Sequence, residues 1–329
     1  MERKGDFNHG EYEGKDSNYI KGHRIRDLVF VIERGIYMMA NDYVVEINNL
    51  TKVYRKMFST QEIKAVDNLS FYIRRGEVCG FLGPNGAGKT TTIMLLMGFL
   101  KPTSGTISLL GQKPTNVRVK ERIGFLPEES YFYKFFNADE ILDYYGSLFR
   151  MDAKVKRRRI NELIEIVGLK EARKRRIREY SKGMQRRIGI AQALINDPEF
   201  IILDEPTSGL DPIGTQQVKD LIKNLKQAGK TILMSSHLLA DVQGVCDRII
   251  LLHQGKLIVE GPTQEILSKK GCIRIEVQDT NGRARKQICE FAERNGLKIT
   301  SVGVSNITLE EFFVKSIKTA GDGYSEHRE

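Results

Sequence analysis

A glycine-rich segment at residues 83–90 carries the most specific chemistry in the sequence. It reads GPNGAGKT and fits the pattern G-x-x-x-x-G-K-[ST] at every fixed position. In such a loop the glycines let consecutive backbone N–H groups converge on the phosphates of a nucleotide. The amino group of Lys89 is expected to reach the β- and γ-phosphates, and the hydroxyl of Thr90 to reach Mg²⁺. We call residues 83–90 the phosphate loop.

A pair of acids forms the second candidate site. Asp204 and Glu205 directly follow residues 200–203, an apolar run that predicts a buried strand. A carboxylate at the carboxyl end of a core strand suits Mg²⁺ coordination beside a phosphate loop. The second acid is placed to polarise an attacking water, a contribution typically worth about 10²–10⁴-fold in rate. Acids that only solubilise the end of a strand are the alternative, which the phosphate loop makes the weaker one.

The elements around the phosphate loop are those that its chemistry requires. Residues 77–82 predict a strand that enters the loop, and residues 91–100 a helix that leaves it. The positive N-terminal end of that helix would face the same anion. From Tyr43 to about residue 269 apolar strand-like runs alternate with helical patterns, which predicts an α/β domain. Residues 137–192 read as mostly helical, and we call them the helical lobe.

The flanking segments divide the chain further. Residues 1–42 are polar and predict a disordered extension. Glu33-Arg34-Gly35 can be encoded by a purine-rich string, placed just upstream of Met38 as a ribosome-binding site would be. We therefore expect translation to begin at Met38 or Met39. Residues 43–270 predict the nucleotide-binding domain. Residues 271–318 predict a small α+β accessory module, with a strand over 273–277 and helices over 285–295 and 308–315. Residues 319–329 predict a disordered tail.

Composition limits the classes of function. No apolar run approaches the roughly 20 residues that span a bilayer, no secretory signal is recognisable, and four widely spaced cysteines indicate neither a disulfide framework nor a metal site. Cytosol is therefore the default compartment. The chain has a net charge of +10, and residues 154–187, with 14 basic and 4 acidic residues, alone account for that value. This basic run suggests an acidic partner, either anionic lipid, nucleic acid or protein, although a solvated helical face is the commoner explanation.

Further motifs resemble those of one protein family. Residues 180–187, YSKGMQRR, resemble the signature segment of ATP-binding-cassette ATPases. Residues 208–211 resemble the D-loop of the family, and residues 235–237 its switch-histidine loop. The resemblance covers roughly residues 43–270 with the motifs in the right order, which makes it highly specific. Residues 80–85 and 246–248 look like the branch of bacterial and archaeal exporters.

The resemblance implies a P-loop NTPase core of ABC type and a role for each matching residue. Lys89 would hold the phosphates, Glu205 would be the general base, and His237 would sense the γ-phosphate. Ser181 and Gly183 would contact ATP bound to the opposite subunit, and Asp211 would line the dimer seam. The implied metal ligands are Thr90, Asp204 and Glu128. The implied nucleotide-binding residues are Tyr54, Gly83, Asn85, Gly86, Gly88, Lys89, Thr90, Thr91, Ser181, Gly183 and Asp211, with Tyr54 stacking on adenine.

The sequence departs from the family pattern at three positions. Glu128 stands where the family usually has glutamine, and an ionised carboxylate can bind Mg²⁺ but cannot donate a hydrogen bond. Lys182 replaces the first glycine of the signature, and Met184 replaces its glutamine. Ser181 and Gly183, which touch phosphate in the family, are retained. The catalytic set is therefore intact.

These observations favour an ATP-hydrolysing subunit of a membrane exporter at the cytoplasmic face of the membrane. Its expected partners are transmembrane permease subunits and a second copy of itself or a homologous ATPase subunit, with ATP and Mg²⁺ as cofactors. Aromatic residues within 131–136 suggest where the permease docks, unless they are ordinary core residues. A soluble cassette ATPase that binds nucleic acid or the ribosome through the basic run is the alternative; the chain has neither a second cassette nor a long coiled-coil insertion, so nucleic acid is not the expected partner. Glu205 and His237 argue against a module that binds ATP without hydrolysing it.

Overall fold

A computed structural model of the chain describes residues 42–55, 62–268 and 283–299, together with residues 19–20 and 23–24. The chain divides into two compact units, Met1–Asp42 and Tyr43–Glu329. In the first, strand β1 (Tyr19–Ile20) pairs antiparallel with β2 (His23–Arg24). The remainder of the predicted extension, the predicted start at Met38 or Met39, the strand over 273–277, the helix over 308–315 and the tail lie outside the described residues.

A six-stranded sheet forms the centre of the second unit. Its strand order is β11-β10-β5-β9-β8-β7, and every neighbouring pair is parallel except β10 and β11. The inner strands are apolar and buried on both faces, as is typical of parallel sheets. The strands of this sheet are β5 (Val78–Leu82), β7 (Ile123–Leu126), β8 (Phe200–Leu203), β9 (Thr231–Ser236), β10 (Arg248–His253) and β11 (Lys256–Pro262). The α/β fold class is confirmed, including the strands predicted before the phosphate loop and before the acid pair.

A second, antiparallel sheet packs against the same core. It contains β3 (Tyr43–Arg55), β4 (Glu62–Arg74) and β6 (Ser104–Leu109) in the order β4-β3-β6. Helix α1 (Lys89–Leu96) follows the phosphate loop, and its Ile93 lies in one buried cluster with side chains of both sheets. This layered packing fixes the position of the phosphate loop between the two sheets.

The helical lobe consists of three helices and a short 3₁₀ turn. They are α3 (Ala138–Leu148), α4 (Ala153–Ile166), the 3₁₀ turn Ile177–Glu179 and α5 (Lys182–Ala193). Side chains that accept backbone N–H groups define each helix start: Asn137 for α3, Asp152 for α4 and Ser181 for α5. The lobe packs on the central sheet through apolar residues such as Leu142, Leu163 and Ile188.

Five further helices complete the described part of the second unit. They are α2 (Val117–Lys120), α6 (Pro212–Gln227), α7 (Leu239–Val242), α8 (Thr263–Leu267) and α9 (Ala284–Arg294). Helix α9 matches the helix predicted over 285–295. Helix α1 ends earlier than the predicted residue 100, because Gly98 takes a left-handed backbone conformation with φ of 68°. In the described part of the chain, none of the helices has the length and apolar character that crossing a membrane requires.

An ion-pair cluster joins the amino-terminal ends of three central strands. Glu199 accepts from Arg122 at 2.5 Å and from Arg75 at 2.9 Å. The hydrogen bond from Arg122, assisted by Arg75, lowers the pKa of the Glu199 carboxyl to about 2. A carboxyl whose pKa is lower in the folded state contributes stability above its unfolded pKa and loses that contribution as the pH falls towards the folded value.

Replacing Glu199 with glutamine is therefore expected to lower the melting temperature at pH 7 but not near pH 2. The effect should not exceed about 1 kcal/mol, or roughly 2–4 °C, because the partly exposed pair is screened by solvent. Thermal unfolding followed by circular dichroism between pH 2 and 7 measures it, with Glu121→Gln as the exposed control. An equal loss at both ends of the pH range would contradict the assignment.

Candidate functional site

The phosphate loop connects β5 to α1 and is held tightly against neighbouring backbone. A side chain at Gly83 would place its Cβ 2.5 Å from the carbonyl oxygen of Leu252. At Gly88, where φ is 100°, a Cβ would collide with the carbonyl oxygen of Ala65. Only glycine fits these two positions, because both space and backbone conformation exclude a larger residue. Close packing therefore requires glycine at both of these positions of the loop.

The side chain of Lys89 crosses the phosphate loop and is buried. Its Nζ donates to the carbonyl oxygens of Gly83 at 2.6 Å and Pro84 at 3.4 Å. The same ammonium forms an ion pair with Oε1 of Glu205 at 3.4 Å, with only 7% and 6% of the two side chains exposed. The structure therefore brings together the lysine and the second acid, which are 116 positions apart in sequence.

The acid pair lies at the carboxyl end of β8, with both residues buried. Ser235 connects them: its Oγ donates to Oδ1 of Asp204 at 2.5 Å and accepts the backbone N–H of Glu205 at 2.8 Å. Burial raises the pKa of the Asp204 carboxyl, the hydrogen bond from Ser235 offsets part of that shift, and the charges of Glu128 and Glu205 add to it. A cation beside Asp204 would favour its ionised form.

The backbone of Glu205 is in a left-handed conformation, with φ of 49°. Such a conformation is costly for a residue with a side chain and is concentrated at functional sites. It directs the carboxylate between two basic groups. Oε2 of Glu205 lies 2.8 Å from Nδ1 of His237, and Oε1 faces Lys89. His237 is 38% exposed in its side chain, so this chain of contacts reaches from the buried lysine to the surface.

Ser181, Gly183 and Asp211 lie apart from this cluster. Ser181 is exposed at the start of α5, where its Oγ accepts the N–H of Met184 at 3.2 Å. Asp211 begins α6 and accepts the N–H of Gly214 at 2.6 Å. Within the described ranges, no hydrogen bond or ion pair joins Ser181 or Gly183 to the phosphate loop of the same chain.

The other predicted site residues border the phosphate loop or lie at the surface. Thr90 is exposed and Thr91 half-buried in the first turn of α1, and Asn85 and Gly86 are exposed in the loop itself. Tyr54 is 39% exposed on β3, with Nζ of Lys52 5.2 Å from its ring centroid. Glu128 is exposed just after β7. The described residues contain no group of three or more His, Cys, Asp or Glu side chains arranged to hold a metal ion.

The part of Arg186 in this site was not predicted from the sequence. Arg186 and Arg187 belong to the basic run, yet Arg186 is 7% exposed. Burial lowers the pKa of Arg186 to about 10, with the charges of Asp204, Glu128 and Glu205 opposing the shift, so the guanidinium is charged at neutral pH. The helical spacing of Arg186 with the buried residues Ile190 and Ala193 was the available signal.

The basic run is also less available to a partner than its composition suggests. Nine of its 14 basic side chains form ion pairs within 4.0 Å, for example Arg173 with Asp139 at 2.5 Å and Arg176 with Glu140 at 3.1 Å. Arg186 and Arg187 donate to backbone carbonyls instead. Most of this charge is therefore compensated inside the helical lobe or beside it.

A parallel sheet with a phosphate loop after β5, an acid pair after β8 and a histidine after β9 defines an ATP-binding cassette. The comparisons with known proteins agree: the model of the ABC transporter family matches residues 66–208. An uncharacterised ABC transporter ATP-binding protein of Synechocystis, sll0415, is 48% identical over 303 residues, which cover 84% of this chain and 86% of that protein. The chain belongs to the family of ABC transporter ATP-binding proteins.

Other relatives have more specific names. The bacitracin transport ATP-binding protein BcrA of Bacillus licheniformis is 34% identical, with 83% of this chain and 97% of that protein covered. The Nod factor export ATP-binding protein I of Ralstonia nicotianae is 36% identical, with 73% and 75% covered. Among solved structures, the dimeric ATP-binding cassette MJ0796 in a post-hydrolysis state with ADP and Pi matches with a TM-score of 0.60 and 27% identity, over 67% of this chain and 98% of that chain.

Proposed function

We propose that this ATP-binding subunit hydrolyses ATP and drives export across a membrane, through permease subunits on separate chains and closure of a dimer around ATP. The chain of contacts Lys89–Glu205–His237 carries this proposal. It places a carboxylate between the lysine that binds phosphate and a histidine at the surface. A carboxylate held in this way is suited to accept a proton from an attacking water.

The residues of the site fit a nucleotide with Mg²⁺. The phosphate loop can offer backbone N–H groups to an anion, and the close packing of Gly83 against Leu252 and of Gly88 against Ala65 holds the loop in place. Thr90 and Asp204 supply the oxygen ligands that Mg²⁺ prefers, and Glu128 is the third candidate. When bound, the ion supplies positive charge that offsets the charge of the phosphate oxygens. Glu205 is the proposed base, His237 orients it and senses the γ-phosphate, and Tyr54 stacks on adenine.

The second half of the site would come from another subunit. Ser181 is exposed at the amino-terminal end of α5, so its hydroxyl and the helix terminus can both face an anion outside this chain. We assign Ser181 and Gly183 to the γ-phosphate of ATP on a second copy or a homologous subunit, and Asp211 to the seam. A similar cassette has been solved as a dimer with ADP and Pi bound, which supports the presence of a second subunit.

The permease is proposed to dock on the aromatic segment, residues 131–136. Tyr131 is 85% exposed, Phe135 61% and Tyr133 52%, whereas Phe132 and Phe136 pack partly against the core. Large exposed aromatic side chains that adjoin one another are typical of protein interfaces. The names of the bacitracin transport and Nod factor export relatives support an exporter at the cytoplasmic face of the membrane. We assign the ATPase to residues 43–270 and an accessory role to residues 271–318.

Purification of the protein from membranes of its native host tests the exporter assignment. Integral membrane proteins are expected to co-purify in mild detergent, and ATP turnover is expected to rise more than linearly with subunit concentration. Recovery from ribosomes or nucleic acid, lost at high salt, would instead favour the alternative of a soluble ATPase. The ion pairs within the basic run argue against that outcome.

Replacing Glu128 with glutamine tests its role as a metal ligand. Loss of this carboxylate is expected to raise the Mg²⁺ concentration for half-maximal ATP turnover by roughly tenfold, because a charged oxygen ligand becomes a neutral one. A Mg²⁺ titration of the ATPase rate measures the change. Glu129→Gln, one residue further along the same exposed segment, is the matched control. Equal Mg²⁺ dependence in both variants would remove Glu128 from the ligand set.

A further inference from the structure

Arg186 joins α5 to two loops of the site, and each of its hydrogen bonds in the described ranges ends on a backbone oxygen. Its Nη1 donates to the carbonyls of Pro127 at 2.7 Å and Glu128 at 2.8 Å. Its Nη2 donates to the carbonyl of Glu205 at 2.7 Å and to that of Asp204, and its Nε donates to Pro206 at 3.1 Å. The planar guanidinium thus directs donors from all three of its nitrogens at two loops.

The two loops and the helix each carry a different part of the proposed chemistry. One loop follows β7 and carries Glu128, and the other follows β8 and carries the acid pair. Arg186 itself lies on α5, five residues after Ser181. The side chain is buried and stays charged at neutral pH, so a shift of α5 that broke these bonds would leave a buried cation without acceptors. A movement of α5 that keeps these hydrogen bonds must therefore carry both loops with it.

We infer that Arg186 is a positioning residue that couples the placement of Ser181, offered to ATP on the partner subunit, to the placement of Asp204 and Glu205 in its own subunit. The inference rests on the proposed function, since it presumes hydrolysis at a shared site. The described hydrogen bonds of Arg186 end on backbone carbonyls, so its proposed action is through the backbone of Glu128, Asp204 and Glu205. A subunit whose α5 is not seated would then have its base and metal ligand out of place.

The chain provides a matched control in the next residue. Arg187 is also an arginine of α5, and it donates to the carbonyls of Val167 at 3.0 Å and Gly168 at 3.0 Å. These carbonyls lie at the end of α4, inside the helical lobe. Loss of either guanidinium removes hydrogen bonds between α5 and backbone oxygens, but only Arg186 reaches the catalytic loops.

The experiment compares Arg186→Gln, Arg186→Lys and Arg187→Gln in the full chain. For Arg186→Gln we expect kcat for ATP to fall at least 100-fold, with the Kd for ATP changed less than threefold because Lys89 and the phosphate loop are intact. Arg186→Lys, which keeps the charge but not the planar fork, should recover part of the rate. Arg187→Gln should lower thermal stability and leave kcat within about threefold, since its bonds end within the lobe.

Three outcomes would decide against the coupling role of Arg186 or against the proposed function on which it rests. If Arg186→Gln keeps the kcat of the unaltered protein, the coupling role is wrong. If Arg186→Gln and Arg187→Gln lower kcat alike, in step with their melting temperatures, Arg186 only stabilises the fold. If the unaltered protein hydrolyses no ATP, or if Glu205→Gln hydrolyses it as fast, the proposed function fails instead, independently of the two arginine variants.

Discussion

Replacing Glu205 with glutamine is expected to lower the turnover of ATP by about 10²–10⁴-fold, the usual contribution of a positioned general base. Glutamine has nearly the same shape, but it cannot accept a proton from water at neutral pH. ATP binding should persist, because the phosphate loop is unchanged. An amide also loses the ion pair with Lys89, which removes one competitor for that ammonium. The variant is therefore expected to accumulate as a dimer with ATP bound.

Single-turnover hydrolysis and size-exclusion chromatography with ATP measure these two effects. Glu199→Gln is the matched control, because it makes the same change at the opposite end of β8. Its turnover should stay near that of the unaltered protein at pH 7. Hydrolysis that is undiminished in Glu205→Gln would falsify the assignment of the base.

Replacing Lys89 with alanine is expected to weaken ATP binding itself. Hydrogen bonds to a charged group are worth about 1.5–3 kcal/mol, so Kd for ATP should rise roughly 10- to 100-fold. Turnover should be lost as well, because the same ammonium is expected at the β- and γ-phosphates. The change also removes the ion pair of the Glu205 carboxylate with Lys89, whereas the contact of that carboxylate with His237 remains.

Titration with a fluorescent ATP analogue measures the loss, together with the melting temperature without nucleotide. Lys113→Ala, an exposed lysine outside the site, is the control. A Kd unchanged in Lys89→Ala, with the fold intact, would show that the lysine does not contact the phosphates. Lys89→Ala and Glu205→Gln thus separate binding from hydrolysis: Lys89→Ala is expected to lose affinity for ATP, and Glu205→Gln is expected to keep it.

Local patterns predicted the parts of the site that depend on neighbouring residues. The phosphate loop needs a fixed glycine spacing, and the acid pair follows a buried strand directly, so both are visible in a short window of sequence. Their meeting is a matter of sheet topology: β5 and β8 both pair with β9, which brings Lys89 to Glu205. Resemblance to a family, and not periodicity, supplied the expectation for His237.

Arg186 shows why other features of the site could not be predicted from the sequence. Its acceptors are backbone carbonyls, which every residue possesses, so no residue type at positions 127, 204 or 206 marks them. A count of charges also cannot tell a buried arginine from an exposed one. Strand β3 is a second case: the apolar run at its start ends at Ile47, yet the strand continues to Arg55. Irregular pairing between Ile47 and Leu50, with Asn49 at φ of 49°, lets it pass two asparagines.

The hydrogen bonds from Arg186 to the main chain have a consequence for variation at position 128. The guanidinium holds the carbonyl oxygen of Glu128 and leaves its side chain exposed. The position of this loop depends on its backbone, whereas its chemistry depends on the side chain at position 128, so the two can change independently. On the proposed role of Glu128 as a metal ligand, exchange of the acid for an amide would change the dependence on metal and leave the backbone hydrogen bond to Arg186 in place.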